Sequence, residues 1–303
     1  MNPRDTVDAD TNRTHPQWPT ANAGADVSPP PVTTGWASEV FASVQGEGLF
    51  VGQPQVFVRT AGCTATCSWC DTVFSKVRTP RLMVRDEPVR VFDNPVASDE
   101  VVGATLALAR SRVITSASLT GGEPLEQFGF ACALARGLAG GGLTVHLETN
   151  GIHADQVARI APWVGVVAMD VKLPSAVGCT HWDAHDVFLE ALAGAGFIAP
   201  AGEDNGRAAF VKIVVDRSAT MEEVDRAARL VSRHDRNIPV ILQPESGHLF
   251  GSRSSARGVL SRSAAAPHAA ALIDFVLRTR RIASRHLNDV RVIPQCHKIF
   301  GVR

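Results

Sequence analysis

A chain of 303 residues, 45% of them hydrophobic, is long enough for one large α/β domain or two ordinary ones with a sizeable core. Lys+Arg and Asp+Glu both number 30, so the formal net charge is zero and the usual electrostatic footprint of a nucleic-acid binder is missing. Six cysteines in this length exclude a disulfide scaffold, and no apolar stretch reaches the length of a membrane span.

Residues 1–33 carry Asp5, Asp8, Asp10 and Asp26, end close to Pro29-Pro30-Pro31, and lack the apolar core of a targeting signal. They are expected to be a disordered tail with a stiff extended end, followed by a folded unit over 34–303. Order begins near Trp36. Glu39-Val40-Phe41 leads into Val44-Gln45-Gly46-Glu47-Gly48, where two glycines let the backbone pass close to a ligand beside two polar side chains. The alternating stretch Gln55–Arg59 is the first expected strand.

A loop follows with Cys63, Cys67 and Cys70 in C-x3-C-x2-C spacing. Three thiolates are one short of closing a tetrahedral zinc site or of giving each iron of a four-iron cluster its own cysteine. Two centres stay open on the spacing: a zinc knuckle completed by a distant His, or a cluster with one iron free to take a small molecule. Cys132 lies in an apolar helical run and reads as a small core residue, while Cys179 stays unassigned.

Beyond this loop, helices and strands alternate. Helices are expected near 98–110 (with Ser98 as N-cap), 125–138, 154–160, 184–193, 219–232 and 264–284. Strands are expected near 113–119, 143–147, 165–169, 209–215, 239–242 and 289–293. This predicts a parallel sheet of about seven strands, fewer than a complete eight-fold barrel. Segments 78–97, 180–206 and 247–263 fall outside the regular pattern, the last reading as a mobile loop near the site.

Polar motifs recur where strands end, which is where a βα barrel builds its site. They are Thr120-Gly121-Gly122-Glu123-Pro124, Glu148-Thr149-Asn150-Gly151, Asp170-Val171-Lys172, Gln243-Pro244 and Gln295-Cys296-His297-Lys298. Each alone is weak, because polar strand ends are common. Together with the three-cysteine loop they resemble the radical S-adenosylmethionine (SAM) superfamily. The Gln45-Gly46-Glu47-Gly48 stretch, Cys70-Asp71-Thr72 and the His297-Lys298 tail narrow the resemblance to the 7-carboxy-7-deazaguanine synthase family, over residues 39–303.

The resemblance implies an α/β partial, TIM-like βα barrel of the radical SAM type. It implies a 4Fe-4S cluster on Cys63, Cys67 and Cys70, and Mg2+ on the Thr72 hydroxyl. SAM would be lined by Gly122, Glu123, Glu148, Asn150, Asp170, Val171, Lys172, Gln243 and Pro244. The substrate, 6-carboxy-5,6,7,8-tetrahydropterin, would meet Val44, Gln45, Gly46, Glu47, Arg59, Thr120, His297 and Arg303, with Arg59 matching the carboxylate. The implied reaction is a radical ring contraction to 7-carboxy-7-deazaguanine with loss of ammonia, and the implied partners are an external one-electron reductant such as flavodoxin or ferredoxin and a second copy in a homodimer. Neither a nucleic-acid nor a membrane partner is expected, and the cytoplasm is the expected compartment. The alternatives are another radical SAM enzyme, such as a glycyl-radical activating enzyme, and a zinc-stabilised binding module.

Overall fold

The computed structural model describes residues 32–198, 206–250 and 262–302. The expected tail, residues 1–31, therefore lies outside the described residues, as do most of the expected mobile loop (251–261) and Arg303. The chain opens with β1 (Thr34–Gly35), β2 (Ala37–Val44), β3 (Pro54–Thr60), β4 (Arg81–Arg85), β5 (Arg90–Asp93) and β6 (Val96–Ala97). Then come α1 (Ser98–Arg112), β7 (Ser116–Gly121), α2 (Phe128–Gly140), β8 (Thr144–Thr149), α3 (Val157–Ile160) and β9 (Val166–Asp170). The second half holds α4 (Pro174–Val177), α5 (Trp182–Gly194), β10 (Ala208–Val215), α6 (Met221–His234), β11 (Val240–Pro244), α7 (Ser246–Phe250), α8 (Arg262–Ala283), β12 (Val290–Val292) and α9 (Cys296–Phe300).

One sheet of ten strands runs β12-β11-β10-β9-β8-β7-β3-β2-β4-β5. Every pairing from β3 to β12 is parallel. These are the strands that the helix–strand alternation predicts, in sequential order, as right-handed crossovers through helices require. No pairing joins β5 to β12 among the described residues. No described helix is long and apolar enough to cross a membrane.

Three expectations are corrected. The lead-in before the glycine turn is the strand β2, antiparallel to β3. Its first five residues are all buried, so the period-two signal of a half-exposed strand is absent. The irregular segment 78–97 holds β4 and β5, whose Leu82 and Val84 point inward while Arg81, Met83, Val91 and Asp93 face solvent. Its charges are those of an edge ribbon. Ser98 is not the N-cap of α1, since Ala97 takes that place. Ser98 instead exchanges hydrogen bonds with the Thr33 backbone, so the incoming chain fixes the helix start. Thr220 and Glu223 form a reciprocal cap that starts α6 at Met221.

Strand periodicity then divides the sheet into two unlike faces. Val56, Val58, Ala117, Leu119, Val145, Leu147, Val167, Met169, Val211, Ile213, Val240 and Leu242 belong to one continuous core with the helices. The alternate residues form the other face. A small apolar cluster of Phe50, Val166, Phe210 and Ile241 fills part of it. Much of the remainder is polar: Gln55, Ser118, Thr120, His146, Glu148, Asp170, Lys212 and Gln243. Helices thus cover one side, and the opposite side is left to hold a site.

Leu134 of α2 is fully buried in the main core. Leu134→Ala is expected to lower unfolding free energy by about 2–5 kcal/mol, read from the urea midpoint at unchanged slope.

Candidate active site

The Val44–Gly48 turn joins β2 to β3 through Gln45 N–H to Gln53 O (2.7 Å) and Gly52 N–H to Gln45 O (2.8 Å). Its glycines are required by protein neighbours. A Cβ on Gly46 would stand 2.2 Å from His297 Nδ1, and one on Gly48, whose φ is +67°, 2.3 Å from the Phe210 ring. Cys296 N–H donates to Gly46 O at 2.8 Å, so the C-terminal helix α9 is docked on this turn. Cys296 is half-buried with its thiol toward Pro294 O.

Glu47 receives two side chains. Gln295 Nε2 donates to its Oε1 at 2.6 Å, and the Lys212 ammonium bonds its Oε2. Burial alone would raise the Glu47 pKa, but the cation of Lys212, then His297, hold it far below the usual carboxylate range. Lys212 is held well above its ordinary value by Glu47, Asp170 and Glu148, against the effect of burial.

Gln45 Nε2 donates to Glu148 Oε1 (3.0 Å) and Gln55 Oε1 (3.2 Å). Ser118 and Thr120 hydroxyls donate to the two Glu148 oxygens, each at 2.8 Å. Glu148, expected beside SAM, therefore sits among the residues expected at the pterin. Gln55 Nε2 lies 3.0 Å from His146 Nδ1. With the Gln55 oxygen accepting from Gln45, its amide nitrogen donates to Nδ1 and the imidazole proton resides on Nε2. Burial pushes the His146 pKa down to about 4, so the ring is neutral. Gln45, Glu47, Phe50, His146, Glu148, Ala168, Phe210 and Lys212 line one cleft.

The cysteine loop follows β3 directly and has no regular structure from Cys63 to Cys67. It is pinned by Cys63 N–H to Lys76 O (3.1 Å), Ser68 N–H to Ala176 O (2.9 Å) and Thr66 Oγ1 to Val177 O (2.8 Å). All three cysteines are free and half-buried. Burial pushes the Cys63 thiol up to about 11, with Glu126 and Glu123 adding to the rise, and raises Cys67 despite Lys172. Among the described residues no three His, Cys, Asp or Glu side chains stand close enough to hold a metal ion. Thr72 ends the loop, its carbonyl accepting from Ser75 N–H and Oγ, each at 2.8 Å. Asp71 accepts from Lys298 Nζ (2.7 Å) and Gln295 Nε2 (3.1 Å), joining the loop to α9.

At the end of β7, Gly121 has φ +124° and a Cβ on Gly122 would stand 1.9 Å from Gly62 O. Gly122 N–H donates to Thr60 O (3.0 Å) and Glu123 N–H to Gly62 O (2.8 Å). The glycine pair is thus needed for two backbones to touch. Glu123 is buried, and its carboxylate accepts from Leu125 N–H (3.0 Å), Thr149 Oγ1 (2.8 Å) and Asn150 N–H (2.7 Å). Burial nevertheless pushes its pKa up to about 7. Asn150 Oδ1 accepts from Ile152 N–H at 3.2 Å.

On β9, Asp170 Oδ2 accepts from Lys172 (2.8 Å) and faces Lys212 (3.6 Å). Lys172 lies 4.5 Å from the centre of the Trp69 ring in the cysteine loop. Val171 N–H donates to Lys212 O at 2.9 Å. Asp170 Oδ1, Trp69 Nε1 and Gln243 Oε1 are buried without a hydrogen-bond partner, Gln243 being next to Pro244 at the end of β11. Arg59 does not line the cleft. Its Nε bonds Glu39 Oε1 at 3.1 Å, and Arg85 takes the other oxygen at 2.8 Å. Cys179 is exposed, 3.3 Å from His181 Nε2.

Lys212, His146, Gln55 and Ser118 lie in none of the motifs, and Asp71 and Gln295 lie in motifs that assign them no role. A signal existed for two of them. Lys212 interrupts an apolar strand, Ala208–Val215, and His146 stands two residues before Glu148, hence on the same face.

Glu123 gives a pH prediction. A carboxyl raised in the fold from 4.5 to about 7 contributes stability present below about pH 4.5 and lost as pH rises through about 7. Unfolding free energy should therefore fall across that window, and a Glu123→Gln profile should lack that segment.

No family model matches the chain. It is 35% identical over 271 residues to 7-carboxy-7-deazaguanine synthase of Geobacter sulfurreducens, covering 87% of this chain and 96% of that protein. It is 30% identical over 265 residues to the protein of the same name from Archaeoglobus fulgidus, covering 88% and 97%. A crystal structure of QueE from Escherichia coli aligns with 87% of this chain and 95% of its own at 21% identity and a TM-score of 0.47. On the two full-length sequence matches, this chain belongs to the 7-carboxy-7-deazaguanine synthase family.

Proposed function

We propose that this chain is a radical SAM lyase that contracts the ring of 6-carboxy-5,6,7,8-tetrahydropterin to 7-carboxy-7-deazaguanine with loss of ammonia, in 7-deazapurine (queuosine-type) biosynthesis. The observation that carries the reading is a convergence. Gln45, Glu47, Thr120 and Glu148, drawn from motifs far apart in the chain, meet around one cleft at the end of a parallel sheet. The family relationship supports it along nearly the whole chain. Residues 34–303 would form the catalytic unit, as a partial βα barrel, with 1–33 as a tail outside it.

The donor chemistry fits a 4Fe-4S cluster: three free thiols on one irregular loop, with no disulfide among them. A cluster would draw the thiols of Cys63, Cys67 and Cys70 together and hold them as thiolates. The buried, partnerless Asp170 Oδ1, Trp69 Nε1 and Gln243 Oε1 suit a polar ligand such as SAM, with Gly122, Asn150, Val171, Lys172 and Pro244 around it. Bound there, the cluster and SAM supply the one-electron chemistry that removes a substrate hydrogen.

The chain's own residues would bind and orient. Ionised Glu47 is acceptor-only and takes pterin N–H groups, while Gln45 and Thr120 hold the ring edge. His297, packed on Gly46, would meet the substrate from the side of the C-terminal helix. Glu123 keeps the Asn150 turn in place through the hydrogen bonds it accepts from Thr149 Oγ1 and Asn150 N–H. Arg59 would reach the substrate carboxylate with its terminal nitrogens while its Nε stays on Glu39. Thr72 would offer its hydroxyl as an oxygen ligand to Mg2+, which would help hold the substrate carboxylate. The free thiols match a reducing, cytoplasmic setting with flavodoxin or ferredoxin as electron source, and the active form would be a homodimer.

Two tests follow. Anaerobically reconstituted protein given SAM, reductant, Mg2+ and the carboxylated pterin should form 7-carboxy-7-deazaguanine by mass spectrometry, and Cys67→Ala should form none. SAM cleavage with the pterin untouched would overturn the substrate. Thr72→Val should retain SAM cleavage and lose most of the stimulation by Mg2+ of product formation.

A further inference from the structure

Lys212 belongs to no motif, yet it lines the cleft beside Glu47. It sits on β10 directly opposite Asp170 in the strand register, with β9 and β11 on either side. Its ammonium bonds Glu47 Oε2 and stands 3.6 Å from Asp170 Oδ2, and all three side chains are largely buried. Asp170 is in turn bonded by Lys172 at 2.8 Å. The order Glu47, Lys212, Asp170, Lys172 alternates in sign. A buried carboxylate without a cation beside it takes up a proton, because desolvation disfavours the charged form. The other charged or titratable groups facing Glu47 are His297 and Cys296 from α9, Asp71 from the cysteine loop and Glu148 from β8. Two of these are carboxylates that oppose its ionisation, a thiol carries no positive charge, and burial lowers the His297 pKa and so disfavours its cationic form. Lys212 is the cation bonded directly to Glu47.

We infer that Lys212 is a positioning residue for the substrate, which keeps Glu47 an acceptor-only carboxylate and fixes its orientation toward the cleft. This rests on the reading that the cleft takes a pterin. A glutamic acid in place of glutamate would present one O–H donor to the amino and ring N–H donors of the substrate, and donor would face donor. Lys212 thereby sets the preference for a ligand edge rich in N–H groups without contacting it.

Isotope-edited infrared titration of glutamate-labelled, full-length reconstituted protein reads this directly. Lys212→Met should show a protonated carboxyl band near neutral pH that wild type lacks and that vanishes in Lys212→Met/Glu47→Gln. Lys212→Arg should behave as wild type, which separates the charge from a general loss of packing. Binding of the fluorescent analogue 6-carboxypterin should weaken about tenfold or more in Lys212→Met at about pH 6 and recover as pH rises, while wild type and Lys212→Arg stay flat. No new carboxyl band, or a binding loss independent of pH and shared by Lys212→Arg, would overturn the proposal. If wild type fails to bind the pterin while the band behaves as expected, the ligand assignment falls and the role of Lys212 toward Glu47 stands.

Discussion

An ammonium buried on a central strand must be matched by negative charge, because leaving it unpaired costs several kcal/mol or drives off its proton. Lys212 imposes this condition on the open face of the sheet. Glu47 answers it from the glycine turn and Asp170 from the neighbouring strand. Lys172 then balances Asp170 and lies over Trp69, which brings the cysteine loop into the same chain of contacts. Buried ion pairs of this kind add little net stability, but removing one member leaves an uncompensated charge. What the network supplies is position: a turn, two strand ends and a loop are tied to one another by electrostatics.

Backbone contacts hold the same parts from the other side. Gly62 O accepts from Glu123 N–H, and Gly122 has no room for a side chain against it. The cysteine loop is therefore docked on the turn after β7 before any ligand is considered. Gly46 likewise leaves room for the His297 ring. The C-terminal helix is fastened to the cysteine loop by Lys298 and Gln295 on Asp71, and to the glycine turn by Gln295 on Glu47. Gln295 touches both, so the residues expected at the substrate and those expected at the cluster share one support.

The division of the sheet into two faces explains why one side packs and the other binds. Residues at one parity of each strand meet the helices and are apolar, and those at the other parity run from Gln55 through Glu148 to Lys212 and Gln243. On that second face every polar group needs a partner. Glu148 finds three, from Gln45, Ser118 and Thr120, and the Gln45–Gln55–His146 relay sets the tautomer of the imidazole. Asp170 Oδ1 and Gln243 Oε1 on the strands, and Trp69 Nε1 in the cysteine loop, are instead among the buried atoms left without a partner.

By itself the sequence determined the parallel strands, the helices between them, the three-cysteine loop and the polar strand ends. These are local signals, carried by periodicity, caps and spacing within a few residues. It did not disclose β2, whose burial on both faces erases alternation, or the β4–β5 ribbon, whose charges resemble those of a loop. Nor did it reveal that Glu123 bonds the turns on either side of it, that Arg59 is joined to Glu39, or that Lys212 reaches Glu47 across 165 residues of chain. Those pairings depend on which strands become neighbours and in what register. Only the tertiary structure decides them, because a side chain meets a distant partner only after the sheet has brought both to the same face.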